Sequence, residues 1–173
     1  MQLLLAPQVS KRLQRELRRA GRREIGGLLM GEHVVDEVFR VVEISVQRAG
    51  GTDACFIRRP GDHKAQLQKF FAATGNDYAR FNYLGEWHSH PSFEPLPSGT
   101  DLQAMQLLVE DPEVAVNFLV LLVCKRGVGR TIQATATAFR ALRGPLAVPI
   151  AIESETGEQA PSLRQRFRRI IGL

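Results

Sequence analysis

Apolar residues recur along this chain in two patterns, a helical stripe in some segments and alternation or unbroken runs in others, and the patterns interleave. Residues 2–6 read as a strand and 7–20 as an amphipathic helix, with Val9, Leu13 and Leu17 on one stripe and Gly21 as its stop. Strands follow near 25–30 and 39–47, with a turn through 31–37, then a Gly-rich loop over 50–60 holding a short extended piece at 55–57. The spacing predicts a second helix over 62–74, with Leu67, Phe70 and Phe71 apolar and Gly75-Asn76 ending it. A strand over 82–90 and a helix over 101–110 come next, the helix burying Leu102, Met105, Leu108 and Val109. Residues 117–125 are almost continuously apolar, which places that strand inside the sheet, and 131–140 alternate small and polar residues as a more exposed strand does. The whole predicts an α/β fold, a mixed β-sheet flanked by helices. It occupies one domain over 1–150, followed over 151–173 by a polar linker and a short basic amphipathic helix. Leu163, Phe167, Ile170 and Ile171 give that helix an apolar edge, whose preferred use is docking on the domain or in a homodimer.

Composition narrows the class. A chain of 173 residues with 44% hydrophobic and 24% charged residues suits one folded domain with a single core. Leu3-Leu4-Leu5-Ala6 is too short for a signal-peptide core and has no basic residue before it, and no run reaches a membrane span, so a cytoplasmic protein is expected. Cys55 and Cys124 lack CxxC spacing, and Cys124, ending an apolar run, reads as a small core residue. The formal charge of +5 is concentrated: seven basic residues lie between Lys11 and Arg23 against the single Glu16. Without interleaved aromatics this helix face is expected to be solvated or to meet an acidic protein rather than nucleic acid. A second basic group, Arg164, Arg166, Arg168 and Arg169, lies near the C-terminus.

The chemistry concentrates in Glu86-Trp87-His88-Ser89-His90-Pro91, followed by Ser98-Gly99-Thr100-Asp101. Imidazoles at alternate positions of a strand project from one face, and Asp101 brings a carboxylate from the next element. That is a three-ligand site for a divalent metal, and three protein ligands leave a tetrahedral ion one open position, as catalytic zinc sites do. By residue type alone two His and a carboxylate also suit iron(II). Ser98 and Asp101 also form a good helix start, Ser98 as cap and Asp101 at the positive helix end. Strand alternation puts Glu86 on the histidine face, as a partner for an imidazole or as the base; Trp87 reads as core and Ser89 as a support for the loop backbone. The three prolines between His90 and Ser98 stiffen the loop, in which Phe93 and Leu96 are candidates for substrate contact or for burial beneath it.

His88-Ser89-His90-Pro91 with Ser98-x-x-Asp101 resembles the signature of the JAMM metallopeptidases (MPN-plus or JAB domains), zinc isopeptidases that remove ubiquitin and ubiquitin-like proteins. Glu24-Ile25-Gly26-Gly27-Leu28-Leu29-Met30-Gly31 is similar to the upstream strand start that carries the family's glutamate. The likeness runs over about residues 1–140 and is greatest to short bacterial JAB proteins encoded beside E1- and E2-like conjugation enzymes in antiphage operons.

The resemblance implies one Zn²⁺ per chain on His88, His90 and Asp101. It implies Glu24 as the group that takes a proton from water and returns it to the leaving amine, and Ser98 as a donor to the oxyanion. The implied substrate is a ubiquitin-like protein or its conjugate, cut after the terminal glycine, with E1/E2-like enzymes as operon partners. Residues 50–83 occupy the place of the family's variable substrate-binding insertion, whereas the short path from Asp101 to Asn117 leaves no room for a second one. Three alternatives stay open: a RadC-like DNA-associated protein, a peptidase processing a sulfur carrier, and an MPN scaffold without activity.

Overall fold

The computed structural model describes residues 1–48, 61–129 and 131–154, so the loop expected over 50–60 and the segment from 155 onward lie outside the described residues. The elements are β1 (Gln2–Leu5), α1 (Pro7–Ala20), β2 (Gly26–Val35), β3 (Val38–Ile44), α2 (Gly61–Ala73), β4 (Phe81–Ser89), α3 (Gly99–Glu110), β5 (Leu119–Arg126), β6 (Ile132–Phe139), β7 (Leu146–Val148) and β8 (Ile150–Ile152). They form a mixed α/β single domain: one sheet of eight strands in the order β7-β6-β5-β4-β2-β3-β1-β8, flanked by helices. β1 is parallel to β3 and β8, and β4 to β5; the other pairs are antiparallel. Among the described residues no helix is long and apolar enough to cross a membrane.

β7 and β8 occupy opposite edges of this order, yet only Pro149 separates them in the chain. The sheet therefore curls until one continuous run joins its two edges, and the Pro149 carbonyl accepts from the Leu3 N–H at 2.9 Å. α1 packs into the concave side. Its Val9, Leu13 and Leu17 meet Leu3, Leu5, Ile25, Leu29, Trp87, Val120 and Leu122 in the main core. Alternate β5 residues, Leu119, Leu121 and Val123, face the other way and bury Met105 and Val109 of α3. β5 is thus covered on both faces, which is why its sequence reads as an unbroken apolar run.

Three expectations need correction. The turn expected over 31–37 is only Asp36-Glu37, with Glu37 at φ 56°, and β2 runs on through Val35. Gly31 is a strand residue because a Cβ there would lie 2.2 Å from Leu84 Cδ1 and 2.3 Å from the Arg40 carbonyl oxygen. The strand expected to reach residue 47 ends at Ile44, with only an isolated bridge between Gly26 and Gln47 beyond it. β7 and β8 were not anticipated, and β8 carries the sheet through Ile152.

Gly27 is fixed by close approach as well: a Cβ there would sit 2.2 Å from the Ser45 carbonyl oxygen. Gly27→Ala is expected to cost about 1–3 kcal/mol of stability by forcing β2 from its neighbour. A denaturant midpoint within error of wild type would contradict that. Beneath this point lies a buried polar chain. The Ser45 hydroxyl accepts from the Leu28 N–H at 2.7 Å and lies 2.7 Å from His63 Nδ1. Gln47 Oε1, 3.3 Å from His63 Nε2, can only accept, so a neutral His63 carries its proton on Nε2 and its Nδ1 accepts from the Ser45 hydroxyl. Trp87 Nε1 donates to the Ser45 carbonyl at 2.9 Å, tying the core tryptophan to the same point.

Candidate metal centre

β4, the loop after it, α3 and β5 form a βαβ unit, since β4 and β5 are parallel and α3 crosses between them. Side chains leaving the carboxyl end of β4 therefore meet the start of α3. His88 is the penultimate residue of β4 and His90 the first beyond it, while Asp101 lies in the first turn of α3. His90 is placed by its N–H donating to the Cys124 carbonyl at 2.9 Å.

These three side chains converge. His88 Nε2 and His90 Nε2 are 3.1 Å apart, and they lie 3.6 and 4.0 Å from Asp101 Oδ2. All three donor atoms fall within 4.8 Å of one another. Tetrahedral bonds of about 2.0–2.1 Å require donors about 3.3 Å apart, so the cluster fits a small divalent ion with little movement. His90 Nδ1 lies 3.2 Å from the Glu94 carbonyl, which can only accept; the proton therefore sits on Nδ1 and leaves the Nε2 lone pair facing the cluster. The loop is held in turn by Lys125 Nζ on the Glu94 carboxylate at 2.8 Å and by the Thr135 hydroxyl donating to the Pro95 carbonyl.

Burial alone would raise the Asp101 pKa. The His88 imidazole beside it and the hydrogen bonds from the Ser98 hydroxyl and N–H outweigh that and hold the carboxyl well below the usual range. Asp101 is thus an anion at any working pH. Ser98 forms a capping box with it. Its hydroxyl accepts from the Asp101 N–H at 3.2 Å, and both its hydroxyl and its N–H donate to Asp101 Oδ2 at 2.7 Å.

Glu24, far away in sequence, is brought to the cluster. Ser89 closes the gap: its N–H donates to the Ile25 carbonyl at 2.8 Å and its hydroxyl accepts from the Ile25 N–H at 3.0 Å. Ser89 therefore supports the entry to β2 rather than the loop, a correction that single-strand reasoning could not reach because the partner lies across the sheet. Glu24 is 4% exposed. Burial raises its pKa, His90 and His88 pull it back, Asp101 pushes it up, and the net shift is upward. Glu86 is half-buried and accepts from the Tyr83 hydroxyl at 3.3 Å. Phe93 and Leu96 stand exposed on the loop, so burial beneath it is not their role. Cys124 is buried behind the site, which pushes its thiol up to about 12 and leaves it inert.

A family model described as prokaryotic homologs of the JAB domain matches residues 7–141. A CD-NTase/cGAS isopeptidase of Vibrio cholerae is 30% identical over 105 residues, 60% of this chain and 63% of that protein, so the match spans less than two thirds of the relative's length. Among solved structures, a protein of Desulfitobacterium hafniense has the same fold, with a TM-score of 0.59 at 19% identity over 88% of this chain and 94% of that one. A JAB1/MPN domain protein of Archaeoglobus fulgidus aligns with a TM-score of 0.45 at 13% identity, over 86% and 97% of the two chains.

Proposed function

The chain belongs to the prokaryotic homologs of the JAB domain, and on that premise we propose that it is a zinc-dependent isopeptidase cutting after the terminal glycine of a ubiquitin-like protein. The observation that carries this reading is the convergence of His88, His90 and Asp101 beside a buried glutamate of raised pKa. His88, His90 and Asp101 would hold the zinc. When bound, such an ion acts as a Lewis acid, acidifying water and polarising a scissile carbonyl. Glu24 takes the proton from the attacking water and hands it to the departing amine, which cannot leave as an amide anion.

Ser98 has two duties that compete for one hydroxyl. In the capping box its proton goes to Asp101 Oδ2; to serve the oxyanion it must turn toward the substrate while its oxygen still caps the helix. Ser98→Ala is expected to lose about 1 kcal/mol of stability with the cap and about 10²–10³ in kcat with the oxyanion donor. Melting and turnover measured on one preparation check both. A stability loss with unchanged turnover would confine Ser98 to capping.

The proposed substrate is a ubiquitin-like protein joined to a target, in the cytoplasm and beside E1/E2-like enzymes. The name of the Vibrio cholerae relative, a CD-NTase/cGAS isopeptidase, supports the isopeptidase reading, and the setting proposed for it is antiphage defence. The deciding experiment offers the zinc-loaded protein a panel of bacterial ubiquitin-like proteins, each fused through its terminal glycine to a reporter, and reads the new N-terminus by mass spectrometry. Cleavage after the glycine is expected. Cleavage elsewhere, or none across the panel, would overturn the assignment.

A further inference from the structure

The residue between the two histidines reaches across the sheet. Gly26 lies opposite His88 and Gly27 opposite Trp87, which puts Ile25 opposite Ser89. In a hydrogen-bonded antiparallel pair two such residues exchange both backbone bonds. Here only one of the two runs from backbone to backbone, the Ser89 N–H to the Ile25 carbonyl at 2.8 Å. The Ile25 N–H goes instead to the Ser89 hydroxyl at 3.0 Å. A side chain thus supplies the acceptor that a carbonyl supplies in a regular ladder.

What the hydroxyl holds is the peptide unit that starts at Glu24. The Ile25 N–H lies in the same rigid plane as the Glu24 Cα, so clamping that N–H fixes where the glutamate side chain begins. On the other flank the Gln47 N–H donates to the Gly26 carbonyl at 2.7 Å, and the strand entry is gripped from both sides. Ser89 and Ile25 are both buried, so removing the hydroxyl leaves the Ile25 N–H without an acceptor. Strand alternation turns Ser89 away from the face that carries His88 and His90. His90, His88 and Asp101 all act on the charge of Glu24. Along the chain 64 residues separate Ile25 from Ser89, whereas across the sheet one hydrogen-bonded pair joins them.

We propose that Ser89 is a positioning residue for proton transfer, tying Glu24 to the strand of the metal ligands and setting where its carboxylate stands, without itself touching metal or substrate. The inference rests on the isopeptidase reading above. Its force comes from the tolerance of the chemistry, since a displacement of about 1 Å can cost about 10² in rate.

Ser89→Ala is tested beside Ser45→Ala, which removes another buried hydroxyl that accepts from β2, at the Leu28 N–H, together with its bond to His63. Both variants should melt lower than wild type and both should keep one zinc. On the fusion that the wild type cleaves, Ser89→Ala should lose about 10–10² in kcat with KM within about 3-fold, the mark of a loss felt in the transition state. Ser45→Ala should stay within about 3-fold in both. Crystal structures should show the Glu24 carboxylate displaced by about 1 Å in Ser89→Ala, with His88, His90 and Asp101 in place. Ser89→Cys, which nearly keeps the volume but offers a weak acceptor, carries the same readings if the alanine variant does not fold. An unmoved Glu24 carboxylate, zinc lost along with turnover, or equal kcat losses in the two serine variants would each overturn the proposal. A wild type that cleaves nothing in the panel would end the isopeptidase reading instead, and the position of Glu24 in the crystals would still decide the role of Ser89.

Discussion

His88→Ala, His90→Ala and Asp101→Asn are each expected to leave a folded protein without zinc and without turnover, whereas the wild type should carry about one zinc per chain. Removing one donor from a three-donor site leaves two, too few to hold the ion against water. Asn is chosen at position 101 because its amide oxygen can still accept from the Ser98 N–H, which keeps the start of α3 while removing the anion. Alanine there would mix a capping loss of about 1 kcal/mol into the result. Elemental analysis reads the metal directly. Melting supplies a second reading, since a ligand bound only by the folded state stabilises by RT ln(1 + [L]/Kd): added zinc should raise the wild-type midpoint and leave the variants unmoved. Full activity in metal-free wild type would end the zinc reading.

How far the sequence foretold this centre depends on the range of the interaction. α1 was legible because local signals agree on it: Val9, Leu13 and Leu17 mark the buried stripe, and Gly21 adopts the positive φ of a helix stop, at 63°. The cluster of His88, His90 and Asp101 was legible for a similar reason, being built on one strand, one stiff loop and one helix start. β2 was cut short because Gly31 looks like turn chemistry, when its lack of a side chain instead admits Leu84 and the Arg40 carbonyl. β7 and β8 were missed because each is three residues long and interrupted by Pro149. They exist only because the curled sheet offers an edge to each. The buried link from Ser45 through His63 to Gln47, and the grip of Ser89 on Ile25, join residues far apart in sequence. No periodicity announces such pairs.

Glu24→Gln is the substitution on which the proton-transfer assignment rests. It should bind zinc and the ubiquitin-like substrate as the wild type does and lose roughly 10²–10⁴ in kcat, about 2.7–5.4 kcal/mol of transition-state stabilisation. The raised pKa of Glu24 adds a reading that needs no substrate. A carboxyl whose folded pKa lies above its unfolded value contributes stability at low pH that is lost as pH rises through the folded value, because above it the fold must bury a charge. At neutral pH the metal-free wild type bears that cost and the Gln variant does not, so Glu24→Gln should melt higher than wild type there, with the difference vanishing in acid. Glu86 offers the contrast: it is half-buried and engaged with the Tyr83 hydroxyl. Glu86→Gln should therefore cost far less turnover. If Glu24→Gln stays within a few-fold of wild type while Glu86→Gln is metal-loaded and dead, Glu86 is the proton shuttle, and Glu24 is a buried carboxylate serving the site only through its charge.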